Sequence, residues 1–226
     1  MTEPRLPESL IQSLGDQLTP VRRLPPPWLR TLGWLLVVAA IAVGLFAHYG
    51  VSHMIQRWIA EPDIAVAGVG AVMTAVCAAW AAFSLGVPGR SWRWTLLPLP
   101  WLLVWVGASG LGCMHDWLGP SAHVAKFNEA SDCLVFIISF SVPLSALLIW
   151  LLRRAYPLRP VLAAIMVGLA SAAASAALLE ICHAFAVAAT DLLTHAMAVG
   201  IVVVLNALMG GAPAPACAEV KLSLSR

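Results

Sequence analysis

Long apolar stretches separated by short polar segments dominate the sequence. A membrane-spanning helix needs about 20 mostly apolar residues, because the hydrocarbon core of a bilayer is about 30 Å thick. Windows of this kind recur along the chain, and charged residues cluster between them. The windows are 32–49, 64–87, 95–114, 133–152, 160–182 and 193–211. The pattern predicts an all-α fold, an integral membrane bundle of six transmembrane helices.

The third window contains Pro98 and Pro100, and proline removes a backbone N–H from a helix. Neighbouring helices in a membrane can supply partners for the freed carbonyls, so we retain 95–114 as a span. Several tryptophans lie at predicted span ends, as in the aromatic belt of membrane proteins. They are Trp28, Trp34, Trp58, Trp92, Trp94 and Trp117.

Composition agrees with a bundle that meets lipid. The chain is 61% hydrophobic and 11% charged, whereas a soluble domain carries about 25% charged residues. The net charge of +2 is too small to indicate a nucleic-acid partner. We therefore expect the lipid bilayer as a partner and no direct binding to nucleic acid.

Arginines set the orientation of the predicted bundle. They precede the first span and fill the second–third and fourth–fifth connections, at Arg22, Arg23, Arg30, Arg90, Arg93, Arg153, Arg154 and Arg159. The other connections hold only Arg57 and Lys126. The positive-inside rule makes the arginine-rich side cytoplasmic. With six spans both termini are then cytoplasmic, and 49–63, 115–132 and 183–191 face outward, into the periplasm if the membrane is a bacterial inner membrane.

The chain divides into a head, a membrane domain and a tail: 1–29, 30–211 and 212–226. The head contains a predicted amphipathic helix, with Leu10, Ile11, Leu14 and Leu18 on one stripe. A basic segment with Arg22 and Arg23 and a proline-rich spacer follow it. Such a helix either lies on the inner leaflet or docks into a groove on a cytoplasmic partner. The residues alone leave both interpretations open.

The fifth window is rich in small residues. Gly168, Ala172 and Ala176 recur at four-residue spacing, which lets helices approach closely in lipid. We expect this stripe to serve packing. Ionisable groups are nearly absent within the spans, which argues against a transporter. Glu180 lies near the outer edge of the fifth window and is interpreted as a rim residue, and Asn206 lies in the inner half of the sixth.

Three cysteines lie at outer span ends: Cys113, Cys133 and Cys182. Spans four and five form an antiparallel hairpin, and their lengths bring Cys133 and Cys182 to the same membrane level within about one helical turn. Oxidation could then clamp two spans as a reversible switch. The alternatives are a permanent disulfide or unrelated core thiols, and the spacing leaves three pairings open. Cys77 lies mid-span and Cys217 lies in the tail, where we expect it to be reduced.

A metal site is a rival interpretation of the outer rim. Thiolates and imidazoles from His115, Cys133, Cys182 and His183 would suit copper(I) or zinc. The sequence has no C-x-x-C motif and no pair of histidines at helical spacing. It also contains no nucleophile–base motif or phosphate-binding loop, so we expect neither an enzyme nor a cofactor.

Several stretches together resemble a known family. The segment "LIQSLGDQLTPVRRLPPPWLR" is similar to the start of membrane anti-sigma factors of the negative-regulator-of-sigma-F type. The stretch "RPVLAAIMVGLASAAASAALLEICHAF" and the later "THAMAVGIVVVLNALMGG" resemble the family's fifth and sixth spans. In the family a cysteine that usually follows a histidine ends the fifth span, whereas here Cys182 precedes His183. An outer cysteine also opens the family's fourth span, at the position of Cys133.

The resemblance implies a membrane-bound anti-sigma factor that sequesters an extracytoplasmic-function sigma factor and releases it under oxidative or metal stress. Cys133 and Cys182 would be the sensor, with Cys113 and His183 as further candidates, although Cys113 has no family role that we can assign. Residues 8–23 would be part of the sigma-binding head, and its candidate contacts are Leu10, Ile11, Leu14, Leu18, Val21, Arg22 and Arg23. The alternative is a small inner-membrane protein that handles metals or thiols at its periplasmic face.

Overall fold

The computed structural model describes residue 16 and the ranges 24–118, 127–153, 159–182 and 189–211. Over these residues the protein is helical and contains no strand. The α-helices are α1 (Pro27–Tyr49), α2 (Ser52–Ala60), α3 (Pro62–Leu85), α4 (Leu99–Leu118), α5 (Phe127–Arg153), α6 (Pro160–Cys182) and α7 (Ala189–Gly211), and a 3₁₀ helix covers Trp92–Leu96. The predicted all-α class is therefore confirmed for the described part of the chain.

Prolines begin helices in this fold more often than they interrupt them. Pro27 and Pro62 occupy the first turns of α1 and α3, where a missing N–H costs nothing. Pro100 similarly lies in the first turn of α4, which starts at Leu99. The predicted interruption of the third window is thus the junction between the 3₁₀ helix and α4. Pro143 differs, because it lies inside α5.

Five segments are long and apolar enough to cross a membrane, judged over the described residues: Pro27–Tyr49, Pro62–Leu85, Trp92–Leu111, Cys133–Arg153 and Pro160–Cys182. They coincide with the first five predicted windows. The described apolar part of α7, Ala196–Met209, is shorter than a span. The protein thus has the helices of a membrane protein, and the sixth span stays a prediction.

The first predicted loop, 49–63, contains a helix that the sequence did not indicate. Helix α2 is 9 residues long, too short to register as an apolar window, and it contacts α3. Ile55 and Ile59 are exposed on it, whereas Arg57 and Trp58 are half-buried. The loop therefore presents a structured element at the end of the bundle where α6 finishes.

Helix α6 is the centre of the bundle and contacts α1, α3, α5 and α7. It is apolar over most of its circumference, and 16 of its 23 residues are buried. The predicted stripe of Gly168, Ala172 and Ala176 is buried throughout. A Cβ on Gly168 would lie 2.8 Å from the Cα of Val203 on α7, so α6 and α7 cross at backbone contact. The packing role predicted for this stripe is confirmed.

Trp34 departs from the predicted aromatic belt. Its side chain is fully buried in the main core, and its indole Nε1–H donates to the Leu144 carbonyl on α5 at 3.3 Å. A belt tryptophan would instead keep its ring at the lipid headgroups. Trp34 therefore ties α1 to α5, and the belt interpretation is wrong for this residue because α1 starts earlier, at Pro27, than the predicted window.

Candidate functional site

The two predicted sensor cysteines lie on adjacent helices. Cys133 on α5 is 2% exposed and packs in a small cluster with Ile137, Leu179 and Ala198. Cys182 is the last residue of α6 and is half-buried, with its Sγ 3.9 Å from the Leu178 carbonyl. Both side chains are thiols in this structure.

Serine contacts fix the register between α5 and α6. The Ser141 hydroxyl donates to the Ser175 hydroxyl at 3.1 Å, and Ser145 and Ser171 are 2.5 Å apart at their Oγ atoms. The two helices are antiparallel, so moving four residues forward along α5, from Ser141 to Ser145, corresponds to moving four residues back along α6, from Ser175 to Ser171. The same register, carried about two turns from Ser141 toward the start of α5, sets Cys133 within about one residue of the level of Cys182, or about 1.5 Å along the axis.

These serines belong to a buried polar ladder that the sequence analysis missed. Besides bonding across the helix pair, Ser171 and Ser175 donate to α6 main-chain carbonyls at 2.8–3.1 Å. Asn206 on α7 joins the ladder by donating to Ser145 at 3.3 Å. The signal was present as serine pairs four residues apart in both windows, which put each pair on one helix face. The ladder connects α5, α6 and α7 inside the bundle.

Glu180 does not lie at an open rim. It is half-buried, its Oε2 atom is buried, and a Cβ on Gly68 of α3 would approach that oxygen to 2.6 Å. The Arg57 guanidinium of α2 lies 3.5 Å from the Glu180 main-chain carbonyl. Gly68 thus makes room for a carboxylate where α6 meets α3. Nothing in the sequence pairs these positions, which are more than one hundred residues apart.

A second polar site lies at the opposite end of the bundle. Arg30, predicted to precede the first span, lies inside α1 and is 9% exposed. Its guanidinium donates to the Leu151 carbonyl near the end of α5. The guanidinium carbon also lies 4.5 Å from the ring centre of Phe83, in the last turn of α3. A charged side chain therefore joins the start of α1 to the ends of α3 and α5.

The remaining candidates lie outside what the structure describes. The backbones of Cys113 and His115 belong to α4, and their side chains are not described. His183 and the proposed sigma-factor contacts Leu10, Ile11, Leu14, Leu18, Val21, Arg22 and Arg23 are outside the described residues, as is Cys217. Within the described ranges, no group of three or more His, Cys, Asp or Glu side chains is arranged to hold a metal ion.

Comparison with known proteins identifies the family. The family model described as "Negative regulator of sigma F" matches residues 14–212, which is most of the chain. No curated protein and no solved structure matched. The matched range includes both candidate cysteines, the serine ladder and Arg30. The chain therefore belongs to the negative regulator of sigma F family.

Proposed function

We propose that the protein is an anti-sigma factor of a bacterial inner membrane. It holds an extracytoplasmic-function sigma factor at the cytoplasmic face and releases it when two periplasmic thiols are modified. Family membership supports the negative regulation of a sigma factor. The observation that supports the thiol sensor is the serine register between α5 and α6, from which we expect Cys133 and Cys182 at one level on neighbouring helices.

The proposed topology has six spans, with both termini in the cytoplasm. Helix α7 supports the sixth span, because its 23 residues would be about 35 Å long at 1.5 Å per residue. The contacts of Arg30 with α3 and α5 bring the arginine-rich segments near 30, 90 and 153 toward one end of the bundle. The positive-inside rule assigns that end to the cytoplasm.

The proposed sensor chemistry requires only two thiols and an external reagent. Peroxide would take two electrons and two protons from Cys133 and Cys182, forming one disulfide and two waters. A soft metal ion would instead bind both sulfurs as thiolates and release two protons. Either event adds a link between α5 and α6 that the resting bundle lacks, and so it favours a different helix arrangement.

The proposed capture segment is the cytoplasmic head, with Leu10, Ile11, Leu14, Leu18 and Val21 as its apolar face and Arg22 and Arg23 as its basic end. This assignment rests on the amphipathic pattern and, from Leu14 to Arg23, on the family match, which begins at residue 14. The protein acts by binding and release, and the proposal includes no catalytic step.

Capture is tested by expressing the tagged full-length chain in its own bacterium beside epitope-tagged extracytoplasmic-function sigma factors. We expect one of them to co-purify with the full-length chain. Deletion of residues 1–23 should abolish this capture and leave the amount of protein in the membrane unchanged. If no sigma factor is retained by the full-length chain, the proposed function is wrong. A metal or oxidant response that survives the deletion would favour the metal- or thiol-handling alternative.

Thiol sensing is tested with Cys133→Ser and Cys182→Ser, alone and combined. Either single variant should lose the release of sigma factor that peroxide causes in the unchanged protein, because a disulfide needs both sulfurs. Cys77→Ser is a matched control, since Cys77 is a buried cysteine of α3 away from this pair. Mass counting of maleimide-blocked thiols checks that two thiols disappear on oxidation. A normal response in the double variant would exclude this sensor.

A further inference from the structure

Arg30 is a charged residue in a place where charge is costly. It lies within an apolar candidate span and is 9% exposed, and ionised side chains inside spans are rare and generally functional. Its partners are a main-chain carbonyl on α5 and the face of Phe83 on α3, so no carboxylate is used in either contact. The position of this guanidinium is therefore set by its contacts with two other helices.

The carbonyl that Arg30 contacts lies in the last described turn of α5. Leu151 lies two residues before Arg153, where the described part of α5 stops. The carboxyl end of a helix also carries partial negative charge, which favours a cation. Arg30 thus binds the carboxyl-terminal part of α5.

Helix α5 reaches from the candidate sensor to Arg30. Cys133 lies toward its start, and Leu151 lies near its end. Between them is Pro143, which cannot bond to the carbonyl four residues earlier and so weakens the helix there. Ser141 and Ser145 flank Pro143 and tie this part of α5 to α6. Helix α5 is therefore weakened at Pro143, where the serines hold it against α6. The segment before Pro143 carries Cys133, and the segment after it carries Leu151.

Arg30 is also close in sequence to the proposed capture segment. Six residues separate it from Arg23, and three of them are the prolines Pro25, Pro26 and Pro27. Pro27 opens α1, and Pro25 and Pro26 before it favour a stiff, extended connection. Arg30 is thus joined to the proposed capture segment by a short, stiff connection.

We propose that Arg30 is the positioning residue that couples the end of α5 to the cytoplasmic head. The inference rests on the proposed function. A link between Cys133 and Cys182 draws the part of α5 before Pro143 toward α6. The part after Pro143 then pivots about the serine contacts. The Leu151 carbonyl then leaves the guanidinium, α1 and the spacer move, and the head releases its sigma factor.

The test uses Arg30→Gln in the full-length chain with Cys133→Ser and Cys182→Ser also present. We expect release without oxidant, with a shift of about tenfold or more in the ratio of released to captured sigma factor, the size that follows from losing a hydrogen bond from a charged group. Arg90→Gln is the matched control. It removes an arginine whose guanidinium carbon lies 4.8 Å from the Trp94 ring centre and which is exposed, and it should leave capture unchanged.

A second readout does not need a sigma factor. A spin label on Leu24→Cys, in a chain whose five native cysteines are serine, should become more mobile with Arg30→Gln and stay unchanged with Arg90→Gln. If both variants behave alike in this readout, the coupling role is wrong, whether or not the chain captures a sigma factor. If Arg30→Gln does not reach the membrane, Phe83→Leu decides, because it keeps the arginine and removes only the ring. Unchanged label mobility in Phe83→Leu would then overturn the proposal.

Discussion

Individual glycines determine how closely the helices of this bundle approach. A Cβ on Gly70 would lie 2.8 Å from the backbone nitrogen of Trp105, and one on Gly168 would lie 2.8 Å from the Cα of Val203. Backbone atoms cannot move aside without displacing a whole helix. At Gly68 the nearest atom is instead the end of the Glu180 side chain, which can rotate. An added methyl group would therefore disturb helix packing more at Gly70 and Gly168 than at Gly68.

Gly70→Ala and Gly168→Ala should each destabilise the full-length protein by about 1–3 kcal/mol, the usual cost of overpacking a tight contact. Gly44→Ala and Gly107→Ala are matched controls, since a Cβ at either position meets nothing within 4 Å. Both controls should be neutral or slightly stabilising, because alanine favours helix. Thermal unfolding in detergent micelles measures the difference. Equal midpoints for the four variants would contradict the close helix crossings.

At the scale of helices, the serine ladder gives α5 and α6 a register that apolar packing alone would define poorly. Small residues slide past one another easily, whereas a hydroxyl pair fixes both the height and the facing side of two helices. In lipid such bonds are individually modest, on average about 0.6 kcal/mol. The ladder therefore aligns the two helices more than it adds to the free energy of unfolding. The relative height of Cys133 and Cys182 along the bundle depends on this alignment.

Ser145→Ala and Ser171→Ala should each destabilise the protein by about 0.5–1.5 kcal/mol. The double variant should be destabilised by less than the sum, because each single variant already loses the same Ser145–Ser171 hydrogen bond. Ser139→Ala is the control on α5, since Ser139 is exposed. Unfolding midpoints of the four variants in micelles give the coupling. Strict additivity would mean that Ser145 and Ser171 do not interact, and the register of the two cysteines would then rest on the Ser141–Ser175 contact alone.

The sequence predicted the long helices well, because a run of about 20 apolar residues has few other structures available to it in a membrane. It did not predict α2, whose 9 residues are mostly polar or interfacial. It also misjudged Arg30, Trp34 and Glu180. Each is an end-of-span residue by position, and only the rotation of its helix turns it into the bundle. That rotation depends on packing between helices that are distant in sequence. The residues of one apolar window therefore do not predict which of its side chains face the bundle.

At the scale of the whole molecule, the central helix α6 links the polar site around Glu180 with the one around Arg30. It packs against α5, which carries Cys133 and Leu151, and against α3, which carries Gly68 and Phe83. Arg30 and Glu180 thus lie at opposite ends of one packed unit built on α3, α5 and α6. A change at the Cys133–Cys182 end has a continuous route of helix contacts to the Arg30 end. The functional assignment of the two ends then depends on which compartment each one faces.

The parity of the spans decides that orientation. If α7 crosses the membrane, the two termini share a compartment, and if it does not, they are separated. We expect green fluorescent protein fused after Arg226 to be fluorescent and alkaline phosphatase fused there to be inactive, because that enzyme needs disulfides that form in the periplasm. Phosphatase inserted within 119–126, between α4 and α5, should be active. Fusions truncated after residue 188, before α7, serve as the control and should show the opposite pattern to fusions after Arg226. Active phosphatase after Arg226 would leave five spans, put the C-terminus in the periplasm, and remove the sixth span from the proposal.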